Sequence, residues 1–272
     1  MNLKFKIIAF AILVLVVSCA KNPFTGKSTM AFVPNSQIFP SAFQQYNQFL
    51  SENKVITGTA DAKRIETIGY KIKTASERWL TAHNQADYLK DYAWEYKLVD
   101  SKEVNAWCMP GGKIVFYTGI LPICKDDAGI AAVMGHEVAH ALANHGQQRM
   151  SAGLLQQLGA VGTQVAVGNK DPQTQALIMQ AYGVGSQVGG MLPFSRAHES
   201  EADMIGLTLM AIAGYDPINA VRVWERMAAN SGGQAPPEIL STHPSNETRI
   251  KELTALVPQA KAEAAKFGVT FK

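Results

Sequence analysis

The motif His136-Glu137-Val138-Ala139-His140 constrains this chain more than any other feature of its sequence. Its two histidines are four residues apart, about 40° of rotation on a helix, so both imidazoles project from one face and can share a metal ion. Glu137 lies about 100° further round, where it reaches a water on that metal without being a ligand itself. Alanine, valine and leucine surround the motif, which indicates a buried helix whose polar groups need partners. The sequence therefore predicts a hydrolytic metal site on that helix.

A third ligand is expected from a second helix, because a hydrolytic zinc site takes three protein ligands and keeps one position open for water. The stretch 195–203 offers Glu199 and Asp203, four residues apart on one helical face. Such a pair provides one carboxylate ligand and a second carboxylate that orients a metal-bound histidine. His198 and Glu201 remain alternatives for the ligand. If these acidic residues have no function, they form a solvated acidic face of the helix.

Two further histidines have weaker predictions. His145 would point roughly opposite His136 if the helix continued, so we expect it at the surface or at a helix end. His243 lies in a short loop of Ser, Thr and Pro. It either donates to the tetrahedral oxyanion or occupies the open zinc position in a resting state, and a purely structural role at a helix entry is the third alternative.

The periodicity of apolar residues predicts an α+β, mostly helical fold with a small antiparallel sheet packed on the zinc-binding helices. Apolar residues alternate near 92–98 and 114–117, and Pro110-Gly111-Gly112 predicts a tight turn between 104–109 and the last of these strands. Helical periodicity begins near Ser41 and dominates after Asp126. Predicted helices cover about 126–145 and 195–212, and two more start at Pro217 and after Pro244. The stretch 151–190 is rich in Gly, Ala and Gln, and we expect weakly stable helices and a mobile connection that serves as a lid or as a membrane- or partner-facing surface.

The N-terminus resembles a bacterial lipoprotein signal. Two lysines precede an apolar run at 7–17, which is long enough for a signal-peptide core but shorter than the roughly 20 residues of a spanning helix. The run leads into Val-Val-Ser and Cys19, which resembles a lipobox whose cysteine is acylated. We therefore expect a signal peptide at 1–18, a tether at 19–40 and a single metalloprotease domain at 41–272. A signal peptide with a chance cysteine, or a simple membrane anchor, is the alternative.

Charge and cysteine content narrow the choice of partners. The chain has 25 Lys and Arg against 22 Asp and Glu, a net charge of +3 that falls to +1 without residues 1–18. This balance argues against a nucleic-acid partner. Of three cysteines, Cys19 is assigned to lipid, and Cys108 and Cys124 form either one disulfide or two buried thiols.

Six blocks of sequence in a fixed order carry a resemblance to a known family. They are Asn22-Pro23-Phe24-Thr25-Gly26, Val104-Asn105-Ala106-Trp107 with Pro110-Gly111-Gly112, Tyr117-Thr118-Gly119, Gly135-His136-Glu137-Val138-Ala139-His140, Ser195-Arg196 with Glu199-Ser200-Glu201-Ala202-Asp203, and Thr242-His243-Pro244-Ser245 with Arg249. This set resembles the zinc gluzincins of the HtpX / CAAX-prenyl-protease type, in particular their periplasmic lipoprotein branch. The resemblance implies a minimal protease domain with one zinc, in which Glu199 is the third ligand and Asp203 orients a ligand.

The resulting functional prediction is a zinc-dependent endopeptidase of a Gram-negative cell envelope, lipid-anchored at Cys19 and facing the periplasm. Glu137 would take a proton from a zinc-bound water and pass it to the leaving amine. Unfolded or misassembled envelope proteins are the expected substrates, paired in extended form with a strand edge near 105–107. The alternative is a chaperone-like envelope assembly factor whose zinc site is largely closed. A purely structural zinc site is disfavoured, since such sites normally have four ligands rich in cysteine.

Overall fold

The computed structural model describes residues 19–230, 243 and 247–271. The predicted signal peptide and the start of the helix expected after Pro244 lie outside these residues. The chain divides into two compact units. The hairpin unit comprises Met1–Pro34 and Asn144–His198, and the sheet unit comprises Asn35–Ala143 and Glu199–Lys272.

Helices dominate both units. The strands are β1 (Cys19–Lys21), β2 (Ser28–Met30), β3 (Val55–Ile56), β4 (Glu95–Val99), β5 (Ala106–Met109) and β6 (Lys113–Tyr117). The α-helices are α1 (Asn35–Glu52), α2 (Ala60–Ala82), α3 (Leu121–Cys124), α4 (Asp127–Leu142), α5 (His145–Val167), α6 (Pro172–Ser186), α7 (Leu192–Ile212), α8 (Ile218–Asn230) and α9 (Glu247–Lys266). A π-helical turn, Gln187–Met191, joins α6 to α7. No helix within these described residues is long and apolar enough to cross a membrane.

A four-stranded sheet forms the β part of the sheet unit, in the order β3-β4-β6-β5. The predicted turn is present, and Gly111 and Gly112 adopt positive φ angles of 85° and 87° that suit glycine. The predicted α+β fold is confirmed, but the expectation of a purely antiparallel sheet was wrong, because β4 and β6 run parallel. Along the chain, β4 is followed by β5, which lies at the edge of the sheet. The tight turn then leads into β6, which lies between β4 and β5. Alternation of apolar residues identifies strand faces and contains no information on this order.

The core of the sheet unit forms where the sheet meets α2 and α4. Ile65, Ile68 and Ile72 line one face of α2 and are at most 1% exposed, as their spacing predicts. Leu98 and Phe116 on the sheet are at most 2% exposed. Each such side chain contributes about 1.5–3 kcal/mol through burial. Because α4 packs against α2, α8 and β5, the motif helix is fixed on several sides.

Helix α1 begins at Asn35, six residues before the predicted start at Ser41, and contains Pro40 in its interior. Proline usually marks a helix start because it lacks an N–H and disfavours a preceding turn. Here the burial of Ile38 and Phe39 on the same face as Tyr46 favours the earlier turns despite that lost hydrogen bond.

The hairpin unit pairs β1 with β2 and contains α5 and α6. Asn22 makes the turn between the strands: its Oδ1 accepts from the amide of Phe24 at 2.9 Å, and its carbonyl accepts from the amide of Gly26 at 2.8 Å. Regular structure thus occupies part of the predicted tether. The domain boundaries at 19, 41 and 272 stay predictions.

Candidate metal centre

Four side chains of the sheet unit converge on one point. His136 and His140 come from α4, Glu199 from α7 and His243 from the segment before α9. One potential ligand atom from each lies within 4.8 Å of the other three. The structure therefore brings together the two motif histidines, the predicted third ligand and the loop histidine, and their roles as ligands stay predictions.

The distances among these atoms suit one small cation. Nε2 of His136 lies 3.1 Å from Nε2 of His140 and 3.1 Å from Nδ1 of His243. The Glu199 carboxylate lies 2.8 Å from Nδ1 of His243, 3.3 Å from Nε2 of His140 and 3.4 Å from Nε2 of His136. A tetrahedron around zinc, with bonds of about 2.0–2.1 Å to nitrogen and oxygen, has edges of about 3.3 Å. The donor set fits that geometry.

Close contact between two helix backbones brings Glu199 to the motif. A Cβ on Gly206 of α7 would lie 2.9 Å from the carbonyl carbon of Gly135 and 2.9 Å from the amide nitrogen of His136, distances that side chains do not tolerate. A Cβ on Gly135 would lie 2.8 Å from the Gly206 carbonyl oxygen. Glycine at both positions therefore lets α4 and α7 touch directly beside His136.

A carboxylate and a guanidinium lie next to His136. Oδ1 of Asp203 lies 2.9 Å from Nδ1 of His136, the position predicted for an orienting carboxylate. Arg249 on α9 donates to Asp203 through Nε at 2.8 Å and Nη2 at 2.7 Å, and its Nη1 lies 3.2 Å from Glu199. The guanidinium also stacks 3.7 Å from the ring centroid of Trp224. Arg249 belongs to the sixth sequence block, which assigned it no role, and Trp224 was not predicted from the sequence.

The electrostatics of the cluster favour a divalent cation. Glu137, Glu199 and Asp203 are buried with one compensating Arg249, which leaves a formal charge of −2 when the imidazoles are neutral. Burial opposes protonation of His136, but hydrogen bonds to Asp203 and Glu199 outweigh it and raise its pKa to about 9. Burial likewise opposes ionisation of Glu199, yet its hydrogen bonds with the imidazoles hold its pKa far below the ordinary value. Such an anionic pocket is stabilised by bound positive charge.

Glu137 stands beside the donor set and outside it. Its Oε1 is buried and has no hydrogen-bond partner among the described residues. Nε2 of His243 lies 3.6 Å from that oxygen, beyond hydrogen-bond distance. An unsatisfied buried carboxylate oxygen is costly, so this atom is placed to accept a hydrogen bond from a water or substrate.

The alternative ligands lie elsewhere. His198 belongs to the hairpin unit, where its Nε2 lies 3.1 Å from Oε1 of Gln148. Its ring stacks on His145 with centroids 4.1 Å apart. Of the two alternatives predicted for His145, the helix end is confirmed, because it is the first residue of α5, and the surface position is wrong, because it is fully buried. Asn144, directly before His145, has a left-handed φ of 56° and separates α4 from α5. The position predicted for His145 on a continuation of α4 therefore does not apply. Glu201 is not part of the donor cluster.

Both remaining cysteines are free thiols, so the disulfide alternative does not hold in this structure. Cys124 is fully buried, and burial raises its pKa to about 12.

Comparison with known proteins identifies the family of this chain. The sequence profile of peptidase family M48 matches residues 71–257, which include both motif histidines, Glu199 and Arg249. The chain belongs to peptidase family M48. It is 38% identical over 195 residues to the mitochondrial metalloendopeptidase OMA1 of Arabidopsis thaliana, covering 69% of this chain and 38% of the relative.

Two other relatives extend the comparison within M48. The mitochondrial metalloendopeptidase OMA1 of Saccharomyces cerevisiae is 35% identical over 207 residues, covering 72% of this chain and 56% of the relative. The beta-barrel assembly-enhancing protease of Escherichia coli is 28% identical over 166 residues, covering 58% of this chain and 33% of the relative. The chain thus matches between a third and just over half of the length of these relatives.

Proposed function

We propose that this M48 member is a zinc metalloendopeptidase that uses Glu137 as its general base. The observation that carries the proposal is the donor cluster of His136, His140 and Glu199 with the unpaired Oε1 of Glu137 beside it. Three ligands plus an adjacent carboxylate are what hydrolytic zinc chemistry requires. The named metalloendopeptidase relatives support the same activity.

The chain's own residues supply the proton transfers and the geometry. Zinc, when bound by His136, His140 and Glu199, lowers the pKa of a coordinated water and polarises a carbonyl oxygen. Glu137 accepts the proton of the attacking water and then donates it to the leaving amine. Asp203 holds His136 through Nδ1, which keeps Nε2 directed at the donor cluster.

His243 has a position that supports the resting-state ligand over the oxyanion donor. Its Nδ1 lies inside the donor cluster, and its Nε2 lies on the side of Glu137. If His243 held the metal together with His136, His140 and Glu199, no position would remain open for water or substrate. Displacement of one side chain therefore exposes both the fourth position and the base.

Glu137→Gln tests the hydrolytic assignment. The amide keeps the shape of the side chain and removes the base, so zinc content should stay at one per chain while cleavage of unfolded casein falls by at least the 10²- to 10⁴-fold typical of general-base loss. Zinc content measured by atomic absorption is the control. Casein cleavage that survives this change in purified protein would contradict the proposal.

Strand β5 is the best-supported binding edge for an extended substrate. It is the last strand of the described sheet. The amide of Tyr117 donates to the Asn105 carbonyl at 3.1 Å, so by antiparallel alternation Trp107 also bonds to β6, whereas the N–H groups of Ala106 and Cys108 point outward. A peptide strand can pair with these outward groups.

Cys108→Pro tests this edge. Proline removes one outward N–H and is tolerated on an edge strand. We expect KM for an extended peptide to rise at least several-fold with the melting temperature nearly unchanged. Cys108→Ala, which keeps the N–H, is the matched control and should bind substrate like the parent. An unchanged KM in the proline variant would remove β5 from substrate binding.

We further propose a lipid-anchored, periplasm-facing enzyme of a Gram-negative envelope that degrades unfolded or misassembled envelope proteins. The lipobox-like sequence at Cys19 supports the anchor, and the Escherichia coli relative, named for β-barrel assembly, supports the envelope setting. Cys19→Ala should abolish acylation, measured by incorporation of labelled palmitate. Equal incorporation in the variant would refute the anchor.

A chaperone-like assembly factor is the second candidate, and the closed donor set completed by His243 is the observation that favours it. Complementation separates the two. If Glu137→Gln restores envelope integrity in a deletion strain as well as the parent chain does, and the parent cleaves no substrate, the chaperone function holds.

A further inference from the structure

The hairpin unit exposes large aliphatic side chains in a regular pattern. On α5, Met150, Leu154, Leu158, Val161 and Val165 recur every three or four residues, and all are more than 40% exposed. At 100° per residue they fall within about 80° of one helical face, over roughly 22 Å of helix. Leu177, Val184 and Val188 continue the pattern on α6 and the π-helical turn, and each is at least 59% exposed. We call these eight residues the apolar stripe.

The contact between α5 and α6 includes hydrogen bonds from side chains. Tyr182 donates its hydroxyl to the Gln156 carbonyl at 2.7 Å, and the Gln156 amide donates to Ser186 at 2.9 Å. The same Tyr182 hydroxyl lies against Gly159. Small residues and hydrogen-bonding side chains between helices, with aliphatic side chains outside, are typical of helices in contact with lipid.

The stripe is almost without charge. Between Arg149 and Arg196 the sequence contains one lysine and one aspartate, the adjacent Lys170 and Asp171, which lie between α5 and α6. Charged side chains oppose transfer into a bilayer more than any others. Only uncharged residues, mainly Gln, Ser, Thr and Gly, lie between the aliphatic residues of this face, so no charged group there opposes its transfer into a bilayer.

The same unit holds the residue where lipid is expected. Cys19 lies in β1, which pairs with β2, and β2 packs against α5. Two hydrogen bonds tie the following residues to α5: the Phe32 amide donates to Ser151 at 3.2 Å, and the Gln147 side chain donates to the Val33 carbonyl. The apolar run 7–17 directly precedes this strand. The membrane attachment point and the stripe are therefore parts of one compact body.

We propose that the apolar stripe lies in the interface of a bilayer, an inference that rests on the lipid anchor proposed at Cys19. The α5–α6 pair would rest parallel to the membrane with its aliphatic side chains among the upper acyl segments. Because the face has no basic residues, hydrophobic insertion is the sole attraction. Binding should then be independent of anionic lipid and of salt, unlike that of basic amphipathic helices.

Lipid-borne quenching tests this placement in the full acylated chain. Single cysteines at Val161→Cys and Leu177→Cys are labelled with an environment-sensitive dye in proteoliposomes that contain nitroxide-labelled phosphatidylcholine. Arg149→Cys is the control, since this exposed position lies about 140° from the centre of the stripe on the same helix. The parent chain gives the background from Cys108 and Cys124. We expect several-fold stronger quenching and blue-shifted emission at 161 and 177, unchanged by phosphatidylglycerol or by high salt.

Equal quenching at all three positions would overturn the proposal, as would strong quenching that appears solely with anionic lipid. A second arm uses the Leu177→Cys label with Leu158→Glu, which should lower the quenching. The matched variant Gln157→Glu adds the same charge at a side chain that is already polar and should leave it unchanged. If both variants act alike, the stripe does not insert and is left as a surface for a protein partner. None of these readouts depends on zinc or on hydrolysis, so the proposed activity and this placement fail separately.

Discussion

Replacement of Gly206 by alanine tests whether backbone contact between α4 and α7 builds the metal centre. The added Cβ would lie 2.9 Å from the Gly135 carbonyl carbon, 2.9 Å from the His136 amide nitrogen and 3.0 Å from the His136 Cα. Carbon contacts are normally about 3.5–4.0 Å. All three neighbours are backbone atoms and cannot rotate away, so the helices must separate by roughly 0.6–1 Å.

The expected energy follows from two opposing effects. Overpacking of this kind costs about 1–3 kcal/mol, and alanine returns about 1 kcal/mol of helix propensity relative to glycine. We expect a net loss of about 1 kcal/mol, or roughly 2–4 °C in melting temperature for a chain of this size. The separation also moves Glu199 from His136, which now lie 3.4 Å apart. Zinc affinity should therefore fall with stability.

The assay is thermal unfolding by circular dichroism, together with zinc competition against a chromogenic chelator. Gly162→Ala on α5 is the matched control, because a Cβ there meets no atom within 4 Å. That variant should be as stable as the parent or slightly more stable, with unchanged zinc affinity. If Gly206→Ala melts at or above the parent temperature and binds zinc equally well, the close contact does not position the ligands.

Three further predictions concern single side chains. Asp203→Asn removes the carboxylate that accepts a hydrogen bond from His136, so zinc affinity should fall about 10- to 100-fold in chelator competition. A fall in zinc affinity of less than twofold would contradict this role. His243→Ala should keep zinc and increase peptide hydrolysis, because it opens the fourth position; a fall in kcat at constant zinc content would instead favour the oxyanion role. Burial opposes ionisation of Glu95, but its ion pair with Lys113 outweighs burial and lowers the pKa of Glu95. The ionised Glu95 therefore stabilises the fold above its ordinary pKa of about 4.3, and this stabilisation is lost as the pH falls through the pKa in the folded chain. Melting temperatures from pH 7 to pH 3 should therefore fall less in Glu95→Gln than in the parent, and parallel curves would refute the contribution.

The sequence predicted the parts of the site that depend on helix geometry alone. The spacing of His136 and His140 places both imidazoles on one face because four residues are close to one helical turn. Glu199 and Asp203 follow the same rule on α7, and the structure places both at the motif. In each case the helix itself fixes which side chains share a face. The choice of Glu199 over His198 and Glu201 rested on the family resemblance.

Strand order and helix boundaries were less predictable because they depend on tertiary packing. β4 pairs in parallel with β6 because the hairpin of β5 and β6 places β6 next to β4. Local alternation of apolar residues does not determine which strand of a hairpin joins the sheet. The early start of α1 at Asn35 depends on what Ile38 and Phe39 bury against, and a rule based on Pro40 alone gives the wrong residue. The rotation predicted for His145 from one continuous helix does not apply, because Asn144 has a left-handed φ angle and separates α4 from α5.

Arg249 shows why the outer part of the site was out of reach of pattern analysis. It follows Asp203 by 46 residues and His136 by 113, so no helical or strand period relates them. Its side chain is buried, and an unpaired buried guanidinium is costly, so the pairing with Asp203 is necessary for both charges. That pairing in turn holds the carboxylate against His136 and adds one positive charge beside Glu199, which reduces the anionic excess to the amount that one divalent cation neutralises. The shared faces of His136 with His140 and of Glu199 with Asp203 thus follow from helix geometry, whereas the charge balance around them depends on a residue that only the folded chain brings near.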